Sequence, residues 1–338
     1  MRNRSFGFAC VVTTVLAAAA PARAQAPAPA HTIVSLPAEN FSFLPFYVAQ
    51  DQHIFEQQGL AVQKVVLAGV ATTNGVISGA ADFGFSNGAS LTRAAARGQK
   101  LLGIAIMSDK PVWAILMSKK LADAAHFNPQ APLAERAKIF ASAHNFAIDS
   151  VNSVGHALTR VIEKIGGVDP ESLLVTPLGA PEAIAAFSRS AIDGFVSNPP
   201  WSEQILATGT AVIIANSLTG DPPWMTPFGS GVVITRPQFC ADHRSICAKI
   251  GHSLEQGMAF IHAHPAEALA VLRSHFPQID PGVLKRSFAV IEKSMPQTPV
   301  IVEAAIRNSD RLNIEAGFMK PSEQLGSYAD LFTNEFVQ

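Results

Sequence analysis

The sequence predicts an α/β protein of two lobes, each built around a doubly wound sheet. Three observations predict it. Short apolar runs alternate with helical stretches from residue 31 to about 215, the connections between them are short, and some three hundred residues exceed one ordinary core.

The elements can be taken in order. Arg2 and Arg4 precede an apolar stretch from Phe6 to Ala20, and Ala22-Arg23-Ala24 follows as a small-residue cleavage signature, so residues 1–24 read as an export signal. The apolar run falls short of the roughly 20 residues that span a bilayer. Cys10 lies inside that run, which argues against a lipid-anchored cysteine at the new N-terminus and for a periplasmic protein. Residues 25–30 form a Pro/Ala tether, and folding is expected to start at His31.

His31 to Leu36 reads as a strand, followed by an aromatic-rich loop and a helix that stops at Gly59. Val62 to Leu67 is the next strand, Thr72 to Ser78 a helix, and Asp82 to Phe85 a strand that ends at Ser86-Asn87-Gly88. Ala89 to Arg97 is a helix closed by Gly98, and Leu101 to Met107 is apolar enough for a buried parallel strand. Trp113 to Met117 looks like a strand leaving this lobe.

After a polar stretch with Pro129 and Pro132, a second α/β unit follows: strand Phe146–Ile148, helix Ser153–Ile165, strand Leu174–Thr176, helix Pro181–Ser188, and strands at Ile192–Ser197 and Val212–Ala215. Gly229 to Ile234 reads as a strand of the first kind. From Asp242 onward the pattern is helical, and these helices should pack back against the first lobe.

Loss of Arg2, Arg4 and Arg23 with the signal leaves 22 basic residues against 26 acidic ones, a formal charge of −4. That balance recruits no nucleic acid. Cys240 and Cys247 remain, and an oxidising compartment permits them to pair. On one continuous helix they would stand about 10 Å apart, beyond disulfide reach. A bridge requires Cys240 to lie in the turn before a helix capped by Asp242; otherwise the two are buried thiols.

Several phrases, in order, resemble the ABC-importer receptors that bind nitrate, sulfonates and taurine. Phe46-Tyr47-Val48-Ala49 with Ile54-Phe55-Glu56-Gln57-Gln58-Gly59-Leu60 is similar to that family's Y-x-A-x-x-x-G-x-F-x-x-x-G-L signature, with His53 for the usual glycine. Ser78-Gly79-Ala80-Ala81-Asp82-Phe83-Gly84 resembles its G-x-A-D-F-G segment, and Ala191-Ile192-Asp193-Gly194 its G-x-x-D-A turn, without the leading glycine. His264-Pro265-Ala266-Glu267-Ala268 resembles its N-P-x-E-A helix pair, with His264 for asparagine. The chain is also similar to the receptors for thiamine-pyrimidine precursors.

The resemblance implies a type II periplasmic binding protein fold, two lobes joined by two crossover strands with the ligand between them. It divides the chain into 31–117 plus 226–338 and an inserted lobe, 118–225. It implies a small-molecule ligand and an ABC permease of the inner membrane as partners, with the receptor a monomer.

In an open α/β sheet, ligands sit beyond the carboxyl ends of the strands. That rule selects four loops, at 37–46, 86–90, 150–155 and 197–201, and within them the candidates Asn40, Phe41, Phe43, Ser86, Asn87, Gly88, Asn152, Ser153, Asn198 and Trp201. The hydroxyls and amides could meet a polar or anionic group, although each also suits an ordinary helix cap. Phe41, Phe43, Trp113, Trp201 and Trp224 could clamp an apolar or ring-bearing ligand, with core packing as the competing account. His156 could add a switchable charge or be structural.

No Arg or Lys falls in these loops, though Arg93 and Arg160 stand one or two turns into adjoining helices. A small organic acid or sulfonate with an apolar body, or a neutral heteroaromatic compound, is therefore expected.

The resemblance extends to the pyrimidine synthases of thiamine biosynthesis, which share the fold it implies, so catalysis is the competing reading. The cleft loops contain no cysteine, the histidines are scattered, and no G-x-S-x-G, C-x-x-C, H-E-x-x-H or Walker pattern occurs. The expectation is a binding protein with no cofactor and no metal, importing a solute. A periplasmic sensor subunit that reports to a signalling partner is the alternative.

Overall fold

The computed structural model describes residues 28–337. The export signal expected over residues 1–24 lies outside the described residues, as does the start of the tether. Structure begins one residue earlier than expected, because Ala30 already pairs with Leu60 and donates its N–H to the Gly59 carbonyl.

The first run comprises β1 (Ala30–Leu36), α1 (Leu44–Asp51), α2 (Ile54–Gln57), β2 (Leu60–Val66), α3 (Ala71–Ser78), β3 (Phe83–Ser86), α4 (Gly88–Ala96) and β4 (Leu102–Ile106). The second comprises β5 (Ala114–Ser118), α5 (Lys119–Ala124), α6 (Leu133–Ala137), β6 (Asn145–Ile148), α7 (Val154–Ile165), β7 (Leu174–Pro177), α8 (Ala180–Ser188), β8 (Gly194–Ser197), α9 (Trp201–Leu206) and β9 (Ala211–Asn216). The chain ends with β10 (Val232–Thr235), α10 (Pro237–Asp242), α11 (Arg244–Ala263), α12 (Pro265–His275), α13 (Pro281–Ser294) and α14 (Glu303–Glu315).

Two five-stranded sheets result, ordered β2-β1-β3-β10-β4 and β7-β6-β8-β5-β9. In each, one strand runs antiparallel to its neighbours: β10 against β3 and β4, and β5 against β8 and β9. These are the strands that follow each passage of the chain between sheets. Leu101–Met107 is thus not a central parallel strand. Its core, β4, is an edge strand whose pairing is antiparallel, and its burial comes from helices and from the tail, where Gly103 bridges Phe332.

The division expected at residue 117 runs through β5, whose pairing partners both belong to the second sheet. The passage between sheets lies earlier, between Ile106 and Ala114, and returns between Asn216 and Val232. The two passages are stitched together: Met107 N–H donates to Gly231 O at 2.7 Å, Phe228 N–H to Asp109 O at 2.7 Å, and Ser217 N–H to Trp113 O at 3.0 Å.

Both faces of each sheet are covered, which is why the parallel strands read as unbroken apolar runs rather than alternating ones. Phe46, Phe83, Leu254 and Leu272 fill one side of the first sheet, and Val76, Leu91, Ile234 and Ile306 the other. Phe146, Leu158 and Ile162 cover one face of the second sheet, and Phe187, Phe195 and Ile205 the other. Leu312 and Ala316 at the end of α14 join the core of the second sheet, so the C-terminal helices do not pack on the first lobe alone.

Cys240 and Cys247 form a disulfide with their Cα atoms 5.7 Å apart. The bridge is made without the expected turn and Asp242 cap. Cys240 lies within α10, Asp242 ends that helix, and a break at His243 (φ −129°) turns the chain into α11.

Candidate functional site

A cavity of about 730 Å³ opens between the two sheets. Its walls are the segments that leave the carboxyl ends of the parallel strands on both sides: 37–43, 68–70 and 86–87 after β1, β2 and β3, and 149–154, 178–181 and 197–198 after β6, β7 and β8. The passages add Ser108, Trp113 and Ser230. The strand-end rule locates ligands at this place because loops and helix N-termini present free backbone N–H groups there.

The walls meet at Gly69 and Ser150. A Cβ added to Gly69 would lie 3.0 Å from the Ser150 hydroxyl. The exposed side chains of Val70 and Val151 flank this contact, one from each wall.

Of the residues expected at the site, Asn40, Phe43, Ser86, Asn87, Ser153, Asn198 and Trp201 line the cavity, as does Trp113. Three of them are also caps. Asn40 Oδ1 accepts from Ser42 N–H at 2.9 Å, Asn87 Oδ1 from Ser90 N–H at 2.8 Å, and Ser153 Oγ from His156 N–H at 3.0 Å. Capping therefore consumes their oxygens and leaves the Nδ2 groups of both asparagines as donors. Asn198 forms no side-chain hydrogen bond among the described residues, and the Ser86 hydroxyl pairs with that of Thr73 at 2.9 Å.

Three expected residues do not line the cavity. Phe41 is fully buried, its ring 4.8 Å from that of Phe276, because the short helical turn at 41–43 sends alternate rings to core and cavity. Gly88 serves close packing instead of ligand approach: its N–H donates to Gly229 O at 2.7 Å, and a Cβ there would collide with Ser309. Asn152 sits in the left-handed region (φ 62°), exposed, with its carbonyl accepting from Arg93 and its N–H donating to His156 Nδ1. Trp224, also considered a clamp, stacks under Arg311 at 4.4 Å away from the cavity.

The nearby cations are engaged elsewhere. Arg93 is buried and donates to Asn313 Oδ1 at 2.6 Å and to Asn152 O at 2.8 Å; burial, then the charge of Arg97, lowers its pKa to about 10. Arg160 donates to Ala316 O and Glu171. His156 is held neutral, its pKa lowered to about 4 by burial and then by Arg160, and its ring packs 5.0 Å from Phe318. It is a structural histidine.

The charged residues that do line the cavity are both acidic: Glu39 and Asp149. Glu39 is neutralised by Lys64 at 2.6 Å and receives the Tyr47 hydroxyl at 2.8 Å. Burial works to raise its pKa, but these hydrogen bonds outweigh it and hold the carboxyl below its usual range. Asp149 has no ion-pair partner among the described residues. Its carboxylate opens onto the cavity while protein crowds around it, and this desolvation raises its pKa against the opposing hydrogen bond from Ser153 Oγ at 2.6 Å.

Sequence reasoning missed 68–70, 178–181 and Asp149, and did not single out Glu39 within the loop 37–46 that it selected. The first two follow strands that the sequence identifies, so the strand-end rule reaches them if applied to every strand. Nothing local distinguishes Asp149 from an ordinary turn residue.

Two stacked α/β layers with a cleft at the carboxyl ends of both sheets define the periplasmic binding protein fold, and the chain has that fold. Residues 40–124 match the NMT1/THI5 like family. The structure is similar to the alkanesulfonate-binding protein SsuA of Xanthomonas axonopodis pv. citri bound to MOPS, at 17% identity over 91% of this chain and 100% of that one, with a TM-score of 0.70. It is also similar to the periplasmic aliphatic sulphonate binding protein SsuA of Escherichia coli (15%, 89% and 93%, TM-score 0.65). A third similar structure is the periplasmic nitrate-binding protein NrtA of Synechocystis PCC 6803 (12%, 92% and 88%, TM-score 0.68). No curated protein matches the chain in sequence.

Proposed function

We propose that the chain is the solute-binding component of an ABC importer, exported to the periplasm, where it carries a small organic molecule to an inner-membrane permease and leaves it chemically unchanged. The observation that carries this reading is the cavity of about 730 Å³, bounded by strand ends of two separate sheets. Its size suits a metabolite, and Phe43, Trp113 and Trp201 offer apolar surface among scattered neutral donors. The solute has an apolar or aromatic body; sulfonates, carboxylates and heteroaromatic compounds are the classes to screen.

In this reading the two lobes, one built on each sheet, close on the ligand as each contributes half of its contacts, and the closed monomer docks on the permease. Selectivity arises because a wrong ligand leaves buried donors unpaired. The reading as a binding protein is supported by the fold relatives named above, which are binding proteins of sulfonates and nitrate.

The test is a thermal-shift and calorimetric screen of the purified protein, stripped of resident solute by unfolding and refolding. One solute class should stabilise it strongly and be recovered intact by mass spectrometry. Conversion of the bound compound, or no stabilisation by any solute, contradicts the reading.

A further inference from the structure

The fold relatives named above bind sulfonates and nitrate, yet the charge of this cavity is of the opposite kind. Among the described residues no arginine, lysine or histidine lines it, and the cations nearest the strand ends are committed: Arg93 to Asn313 and Asn152, and Lys64 to Glu39. The N-terminus of α7, where a ligand anion would be expected, already has a resident one. Asp149 occupies the approach to that helix and takes the hydroxyl of its cap, Ser153. A second anion placed there would face an unneutralised carboxylate in a protein-lined cleft, where repulsion is poorly screened.

Beside Asp149 stands an aromatic surface. A Cβ on Gly155 would lie 3.0 Å from both Asp149 Oδ1 and Trp113 Cζ3, so the carboxylate and the edge of the indole flank the same point of the α7 N-terminus. A carboxylate adjoining an indole is the arrangement that recognises organic cations, through charge pairing and attraction to the ring. Ser150 adds a buried hydroxyl with no partner among the described residues, next to that carboxylate in the chain.

Resting on the receptor reading, we propose that the ligand of this cavity is a small organic cation, an amine or amidine on an apolar or aromatic body, seated with its charge on Asp149 and its body against Trp113. The neutral donors of Asn40, Asn87 and Asn198 then receive the acceptor groups of the same molecule. Of the classes to be screened, sulfonates and carboxylates are therefore expected to bind more weakly than cationic compounds of the same shape.

Calorimetry with four probes of one shape tests this: benzamidine as cation, benzamide as neutral isostere, and benzoate and benzenesulfonate as anions. Benzamidine should bind at least tenfold more tightly than any of the others, and Asp149→Asn, which keeps an acceptor for Ser153, should remove that preference while the melting temperature holds. Benzoate or benzenesulfonate binding as tightly as benzamidine would overturn the proposal, as would failure of benzamidine to bind or an unchanged benzamidine affinity in D149N. The comparison of probes on the unmodified protein stands even if D149N folds poorly. An anion bound tightly and released intact would leave the receptor reading in place; turnover of bound benzamidine would overturn the receptor reading and leave the charge assignment.

Discussion

Arg93 Nη2 of α4 donates to the main-chain carbonyl of Asn152, 2.8 Å away in the loop before α7, so a side chain from the layer of the first sheet fixes the loop that edges the cavity. The same guanidinium holds Asn313 of α14 at 2.6 Å and lies 5.8 Å from the centre of the Phe318 ring. One buried cation thereby joins both sheets and the C-terminal helices. Arg93→Met keeps much of the volume but leaves the Asn313 and Asn152 oxygens unpaired, and should cost about 3 kcal/mol of stability. Urea denaturation checks this.

Asn152 itself should tolerate change in a particular order. Its φ of 62° suits asparagine and glycine, and its side chain does not line the cavity. Asn152→Gly should therefore leave stability nearly unchanged, whereas Asn152→Ala should cost about 1 kcal/mol through the left-handed backbone. Ligand affinity should stay within twofold in both variants, measured by calorimetry. A tenfold loss in either would mean that the Asn152 side chain touches the ligand.

Trp201 should behave in the opposite way. It lines the cavity from the second sheet's side and also packs against the apolar cluster of the first, so it contributes surface where the two halves converge. Trp201→Ala should weaken ligand binding by at least tenfold, about 1.4 kcal/mol or more. Trp201→Phe should recover part of that loss, which separates ring contact from a general loosening of the fold.

The alternation of β1 to β4 and of β6 to β9 was legible because a doubly covered parallel sheet writes itself as short apolar runs between helices. The directions of β5 and β10 were not, because strand direction follows from where the chain has travelled and not from local pattern. Asn40, Asn87 and Ser153 could be located at the cavity from their loops, but not which of their atoms would be spent on caps. Gly88 illustrates a further limit: its lack of a Cβ answers to Gly229 and Ser309, which lie more than a hundred residues away in sequence. The break at His243 was also invisible, since nothing between Cys240 and Cys247 is a strong helix breaker.

That break sets the strength of the disulfide. The bridge closes a loop of seven residues' separation, and a loop so short removes little entropy from the unfolded chain. Loss of the bridge in the double variant Cys240→Ser, Cys247→Ser should cost about 2.5 kcal/mol on loop-closure grounds. Phe239 of α10 packs on Phe83 at the start of β3, the end opposite the cavity, α11 packs on α2, and neither α10 nor α11 lines the cavity, so ligand affinity should be unaffected. Denaturation with and without a reducing agent gives the same comparison in the unaltered protein.

Glu163 of α7 predicts how stability depends on pH. It is 1% exposed, neither carboxylate oxygen has a hydrogen-bond partner among the described residues, and burial, against a smaller opposing effect of Arg160, raises its pKa to about 8 from the ordinary value of 4.5. The folded protein then holds a proton that the unfolded chain has released between pH 4.5 and 8. In this window the folded state binds more protons, so stability falls as pH rises, by about 1.4 kcal/mol per pH unit from this one group. The contribution is complete below pH 4.5 and lost above pH 8. Glu163→Gln, which cannot ionise, should flatten that slope and leave the variant the more stable of the two at pH 8, with little difference at pH 4.5. Urea denaturation at a series of pH values reads the slope directly, and identical slopes in the two proteins would mean that Glu163 is ionised and solvated in the folded state.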